Sequence, residues 1–215
     1  MMFEKLTVGA LQTNCYIIGN AEGRDAVVID PGGEGTRILS RLGKLGLNLA
    51  AILLTHAHFD HIMAAWTLKA QLGGKIYLHP GEQEVLLQSI FGLGARFRPE
   101  VRPVSPDQVD CRLSGGDRLR FGRIRIEVID TPGHTPGHVS FYLEEPGMIF
   151  SGDTIFAGSI GRTDFPGGSF DALINSVRTR IFPLPDKTII HPGHGSQTSV
   201  GREKASNPFF RPKSR

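Results

Sequence analysis

Three imidazoles and a carboxylate fall within six residues in the run Thr55-His56-Ala57-His58-Phe59-Asp60-His61, directly after the apolar stretch Ala50-Ala51-Ile52-Leu53-Leu54. Residues two apart on an extended chain project to the same side, so His56 and His58 can face one cation together. Asp60 and His61 follow where the chain turns into a new segment, and they can aim at a neighbouring point. Neutral imidazole nitrogen and carboxylate oxygen are the donors that borderline divalent ions such as zinc accept. With 8 histidines in 215 residues, a chance H-x-H-x-D-H run is expected in roughly one such chain per few thousand. The cluster reads as half of a two-metal site rather than as solvated histidines behind a core strand.

Further donors stand elsewhere in the chain. His134 lies in Asp130-Thr131-Pro132-Gly133-His134-Thr135-Pro136-Gly137-His138, Asp153 in Phe150-Ser151-Gly152-Asp153-Thr154, and His194 in Ile189-Ile190-His191-Pro192-Gly193-His194-Gly195. Each sits where an apolar, β-like run ends in a Pro/Gly turn, so a short constrained loop would present it at a strand terminus. Strand ends gathered at one sheet edge can assemble a site from distant sequence. Among the neighbouring polar residues, His138 and His191 are expected to orient ligands or serve structure. His79 reads as a turn residue, Asp30 as a carboxylate that fixes a loop, and Phe59 and Trp66 as core.

The elements that must carry these residues form two β-rich halves, each followed by helices. Residues 3–31 read as paired strands with turns at Gly19-Asn20 and Gly23-Arg24. Ile38, Leu42 and Leu45 recur at helical spacing over 35–46, closed by Gly46, and a second helix is predicted over 61–72 with Gly73-Gly74 as its stop. A third runs from Glu82 to about Ile90. The span 96–110, with Pro99, Pro103 and Pro106, reads as a loop. Strands are predicted at 118–129 and 139–150, a helix at about 169–181 and a last strand at 187–191. Such alternation predicts an αββα sandwich of two mixed β-sheets flanked by helices, with residues 1–215 forming a single domain.

The ordered donor series across nearly the whole length resembles the metallo-β-lactamase superfamily. The resemblance implies that His56, His58 and His134 hold one metal, that Asp60, His61 and His194 hold a second, and that Asp153 bridges them. Asp60 and Asp153 then supply the carboxylates of the catalytic centre. Two divalent ions are implied, zinc first, with iron or manganese as alternatives. Ile62-Met63-Ala64-Ala65 departs from the family, in which many members carry glycines after the cluster.

Water is a poor nucleophile at neutral pH, and zinc lowers the pKa of bound water from about 15.7 to about 7. Paired ions can share the resulting hydroxide while polarising a substrate carbonyl. No G-x-S-x-G nucleophile elbow is present, so hydrolysis of an activated acyl compound is the expected reaction. The segment from Ser151 to Phe165 resembles the glyoxalase II branch, which cleaves glutathione thioesters such as lactoylglutathione. Arg162 falls near a position where that branch carries a basic residue binding the thiol carrier, and a salt bridge to Asp164 is the competing role. Residues 195–215 leave little chain after His194, so the short bacterial type is expected. Gly161-Arg162-Thr163-Asp164-Phe165 also resembles persulfide dioxygenases, in which His56, His134 and Asp153 would hold a single iron. Other ester or lactone hydrolysis on the same fold is a third alternative.

Composition agrees with a globular enzyme. Hydrophobic residues make up 40% of the chain, and no apolar run approaches the roughly 20 residues of a membrane helix. The start Met1-Met2-Phe3-Glu4-Lys5 lacks the pattern of a signal peptide, so a cytoplasmic location is expected. Cys15 and Cys111 are expected to be reduced thiols. The net charge of +3 is concentrated partly in Arg202, Lys204, Arg211, Lys213 and Arg215. These read as a solvated tail, or as a rim attracting an anionic substrate. Nucleic acid is not expected as a partner, because stacking aromatics do not interleave the basic residues.

Overall fold

Seven fully buried residues in a row, Thr13–Gly19, make one strand the centre of a sheet rather than its edge. This strand, β2, pairs antiparallel with β1 (Met2–Val8) on one side and β3 (Asp25–Ile29) on the other. The edge strand β1 is half exposed and carries Glu4 and Lys5, charges that discourage pairing with another chain. The structure, a computed structural model, describes residues 1–20, 22–91 (Phe91 by its backbone) and 108–211. These fall into two compact units, Met1–Leu113 with Leu119–Arg125, and Ser114–Arg118 with Ile126–Arg215.

In the first unit, α1 (Gly35–Leu45) leads from β3 to β4 (Asn48–Leu53), which lies parallel to β3. Its Ile38 and Leu42 are completely buried, and each such burial contributes about 1.5–3 kcal/mol. Gly46 ends the helix in the left-handed region, as its position after the last apolar residue predicts. The expected helix over 61–72 is two helices, α2 (Phe59–Ile62) and α3 (Ala65–Leu72). The break arises because the Ala64 N–H donates to Pro31 O at 2.8 Å instead of along the helix. Ile62, Ala64 and Ala65, where the sequence departs from the family's glycines, are buried in the core of this unit. Trp66, half-buried, packs against that core as expected, whereas Phe59 is half-buried and not among the described residues packed on it.

The chain continues through β5 (Lys75–Leu78), a short 3-10 turn at Pro80–Glu82, α4 (Gln83–Phe91) and β6 (Cys111–Arg112). Most of the loop expected at 96–110 lies outside the described residues. The sheet order is β1-β2-β3-β4-β5-β6.

The second sheet has the order β14-β13-β10-β9-β8-β7. Gly122, at φ +58°, turns the expected strand 118–129 into β7 (Arg118–Phe121) and β8 (Ile124–Asp130). The expected strand 139–150 is likewise divided into β9 (Val139–Leu143) and β10 (Met148–Gly152) by a turn that includes Gly147 at φ +86°. A small hairpin, β11 (Ile155–Phe156) and β12 (Ser159–Ile160), follows. Then come α5 (Phe170–Ser176), a π-helical turn at Val177–Ile181, β13 (Ile189–Pro192), β14 (Thr198–Ser199) and α6 (Val200–Ser206). Leu173, Val177, Ile181 and Val200 close a core over Ile149 and Ile190. The helix α6 is packed through Val200 and Glu203, while its basic residues Arg202 and Lys204 are exposed, as expected of solvated charges. Among the described residues, no helix is long and apolar enough to cross a membrane.

Candidate metal centre

Each unit carries its own set of donors at the ends of its strands. In the first, β4 runs out at Leu53 and the chain passes through Thr55-His56-Ala57-His58 into α2. Asp30, at the end of the adjacent parallel strand β3, organises this passage. Its Oδ1 accepts the Thr55 N–H at 2.8 Å, and its Oδ2 accepts the Thr55 hydroxyl at 2.7 Å and faces His61 Nδ1 at 3.0 Å. The Thr55 hydroxyl proton is thereby committed to Asp30, so Thr55 Oγ1 accepts from His56 Nδ1 at 3.0 Å. The network assigns the Nδ1–H tautomer to both His56 and His61 and leaves Nε2 of each with its lone pair. Asp30 is the loop-fixing carboxylate that the sequence predicts.

The donor atoms then fall together. His56 Nε2 and His58 Nδ1 are 3.1 Å apart, and His61 Nε2 is 3.5 Å from Asp60 Oδ2. Nitrogens at about 2.0–2.1 Å from one tetrahedral ion stand roughly 3.3 Å apart. Asp60 is held from the start of β2, where Thr13 Oγ1 donates to its Oδ2 at 2.9 Å. α2 lies so close to the turn after β3 that a Cβ on Gly32 would sit 1.6 Å from Asp60 O. Glu82, completely buried, accepts the Ala57 N–H at 2.8 Å and secures the centre of the ligand loop. Sequence reasoning missed Thr55, Thr13 and Glu82. Thr55 alone carried a signal, its position immediately before the first histidine.

In the second unit, β10 and β13 are parallel neighbours, and Asp153 and His194 lie just past their ends. The Gly193 N–H donates to Gly152 O at 2.7 Å and aligns the two ends. His194 Nε2 and His134 Nε2 each lie 3.7 Å from Asp153 Oδ2. His134 donates from Nδ1 to Arg162 O at 2.7 Å, which presents Nε2 as its lone-pair nitrogen. Asp153 is set by His138, whose Nε2 accepts the Asp153 N–H at 3.1 Å while its Nδ1 meets Thr131 Oγ1 and Thr154 Oγ1 at 3.0 and 3.2 Å. That is the orienting role expected for His138. His191 is buried and stacked on Phe150 in the sheet, and His79 caps the turn at Pro80 by accepting the Gly81 N–H.

Arg162 divides its functions. Its carbonyl holds His134, whereas its exposed guanidinium makes a bidentate pair with Asp164 (2.9 and 2.8 Å) and lies 4.2 Å from the centre of the Phe165 ring. Hydrogen bonding to Arg162 holds the Asp164 carboxyl below the usual carboxylate range and raises the guanidinium further. Cys15 and Cys111 are free, and burial pushes the Cys15 thiol well above its ordinary value.

Buried imidazoles with Nδ1 committed to acceptors, set beside carboxylate oxygens, fit borderline divalent metals chemically. The profile described as the Metallo-beta-lactamase superfamily matches residues 8–194. A hydroxyacylglutathione hydrolase, GloC of Haemophilus influenzae, is 42% identical over 215 residues, covering 100% of both chains. Human mitochondrial persulfide dioxygenase ETHE1 is 35% identical over 212 residues, covering 96% of this chain and 73% of its own. Among solved structures, BLEG-1 B3 metallo-β-lactamase matches with a TM-score of 0.87 and 39% identity, covering 97% of this chain and 99% of its own. TTHA1623 in a di-iron-bound form matches with 0.84 and 43%, covering 96% and 99%. The chain belongs to the metallo-β-lactamase superfamily. It has the fold of that superfamily, two mixed β-sheets flanked by helices, and carries candidate His/Asp metal-binding groups.

Proposed function

We propose that the protein is a binuclear metallohydrolase that cleaves a small acyl thioester, with a hydroxyacyl thioester of glutathione as the leading substrate. His56, His58 and His134 would hold one ion, Asp60, His61 and His194 the other, and Asp153 would bridge them. Bound ions would supply a water of lowered pKa and Lewis acidity at the substrate carbonyl. The protein's part is orientation. Asp30 and Thr55 fix His56 and His61, the Arg162 carbonyl fixes His134, and His138 fixes the backbone of Asp153. Asp60 and Asp153 add negative charge that offsets the two dications.

The observation that carries the reading is the complete donor series, drawn from loops that follow strand ends and from the short helix α2, in a chain alignable from end to end with a hydroxyacylglutathione hydrolase. An iron-dependent persulfide dioxygenase is the second reading, favoured by the likeness to ETHE1 and by Gly161-Arg162-Thr163-Asp164-Phe165. Elemental analysis of freshly purified and metal-reconstituted protein tests the metal set. About two transition-metal ions per chain are expected, zinc or iron foremost. A stoichiometry that stays at one after reconstitution contradicts a bridged pair.

A further inference from the structure

Glu203, on the carboxyl-terminal helix α6, is a completely buried carboxylate surrounded by donors. Its Oε2 accepts the Gly158 N–H at 2.9 Å and the Asn207 side-chain amide at 2.8 Å, and its Oε1 accepts the Thr198 hydroxyl. Asn207, equally buried, donates from the same amide to Ser159 O at 3.0 Å. Gly158 lies in the turn at the tip of the β11–β12 hairpin and Ser159 opens β12 beside it. One acidic side chain and one amide therefore grip both a donor and an acceptor of that tip.

The hairpin matters because of what lies at its two feet. Asp153 and Thr154 enter it, and Gly161 and Arg162 leave it. The feet are pressed together so closely that a Cβ on Gly161 would lie 1.7 Å from Asp153 O, and the Gly161 N–H points to Thr154 O at 3.4 Å. Arg162 then places its carbonyl 2.7 Å from His134 Nδ1. On β11, Phe156 sets its ring edge-on to His194, with centroids 6.3 Å apart. A change in how the hairpin sits would shift the carbonyl that orients His134 and the backbone that carries Asp153. A carboxylate is costly to bury unless it is well satisfied, so its placement here calls for a role.

We propose that Glu203, with Asn207, is a positioning residue of the metal centre, acting through the β11–β12 hairpin on Asp153 and His134. It touches neither substrate nor metal. The proposal rests on the ligand assignment made above. Loss of the carboxylate leaves the Gly158 N–H without its acceptor and lets the hairpin tip move. Glutamine keeps an oxygen for the Gly158 N–H and can donate to the Thr198 hydroxyl, so it should preserve the grip.

The test compares wild type, Glu203→Ala, Glu203→Gln, Asn207→Ala and, as a control on the same helix, Lys204→Ala, which removes only a surface bridge to Asp186. The first readout is the rate at which the zinc-loaded protein gives up zinc to a chelator. The second is the tautomer of His134 in the metal-free protein, read by nitrogen-15 NMR. Glu203→Ala is expected to release zinc roughly 10- to 100-fold faster and to lose the fixed Nδ1–H signal. Glu203→Gln should restore both, Asn207→Ala should move both in the same direction by less, and Lys204→Ala should match wild type. If Glu203→Ala does not fold, the same comparison is read from Asn207→Ala, where unchanged zinc release and an unchanged His134 signal overturn the proposal. Folded Glu203→Ala with a lower melting temperature, wild-type zinc release and an unchanged His134 signal would make Glu203 a helix anchor only and overturn the proposal. Wild-type protein that takes up no zinc would overturn the ligand assignment instead, while the His134 signal would still judge the brace.

Discussion

Asp30 and His61 meet in a fully enclosed space, with Oδ2 3.0 Å from Nδ1, and the same oxygen receives the Thr55 hydroxyl that orients His56. A single carboxylate thus aims two imidazoles assigned to different ions. Asp30 has φ +48°, a conformation that asparagine tolerates better than most residues. Asp30→Asn should therefore keep the backbone while replacing one acceptor oxygen with an amide NH2, a donor. The expected result is a folded protein whose zinc affinity falls roughly 10- to 100-fold, measured by competition with a chromogenic chelator.

Asp153 and His138 separate a ligand from its support. Asp153→Ala should abolish turnover by several powers of ten and weaken retention of at least one ion, because it removes the proposed bridge. His138→Ala leaves the Asp153 carboxylate present and removes the acceptor of its N–H together with the ring partner of the Thr131 and Thr154 hydroxyls, so a smaller loss, roughly 10- to 100-fold in metal affinity, is expected. Metal content and turnover of the two variants, measured together, check the order. Loss of metal in His138→Ala with full retention in Asp153→Ala would reverse the assignment.

Arg162 offers a cleaner division, because its backbone and side chain do different things. Replacing the side chain with alanine leaves the carbonyl on His134 Nδ1 in place, so kcat should change little. If the guanidinium exchanges Asp164 for a carboxylate of the thiol carrier, KM should rise. Steady-state kinetics of Arg162→Ala with a thioester substrate read both quantities, and a fall in kcat at constant KM contradicts a carrier-binding role.

Asp110 gives a dependence on pH unrelated to the metal centre. Burial alone would raise its pKa, but the Lys69 ammonium at 2.6 Å and the Ile76 N–H at 2.8 Å outweigh burial and hold it below the ordinary value. A carboxyl with a lowered folded-state pKa contributes stability above its unfolded value of about 3.9 and loses it as the pH falls through the folded value. Asp110→Asn should thus be less stable than wild type near neutrality. The gap should narrow as the solution is acidified below about pH 4, as read from urea denaturation midpoints across the acid range.

The donors were legible in the sequence because their chemistry is local: three histidines and an aspartate in one short run, and Pro/Gly turns announcing the other strand ends. Helix α1 was legible for the same reason, since Ile38, Leu42 and Gly46 carry its periodicity and its stop. What orients the donors was less so. Thr13, Glu82 and Glu203 act across 47, 25 and 45 positions of sequence, and nothing in their own neighbourhoods marks them. The break between α2 and α3 was hidden similarly, because it depends on Pro31 accepting the Ala64 N–H from another segment. The two-residue strands β11 and β12 carry too little pattern for periodicity to show.

The most direct test of the central claim is thioester cleavage by protein loaded with zinc alone, under nitrogen. Zinc has no accessible redox change, so it can support hydrolysis and cannot support oxygen-dependent oxidation of a persulfide. The account predicts that metal-free protein is inactive, that zinc restores cleavage of lactoylglutathione or a simpler acyl thioester without oxygen, and that activity levels off at about two zinc ions per chain. Oxygen uptake with glutathione persulfide by the iron form, with no thioester cleavage by any metal form, would contradict it.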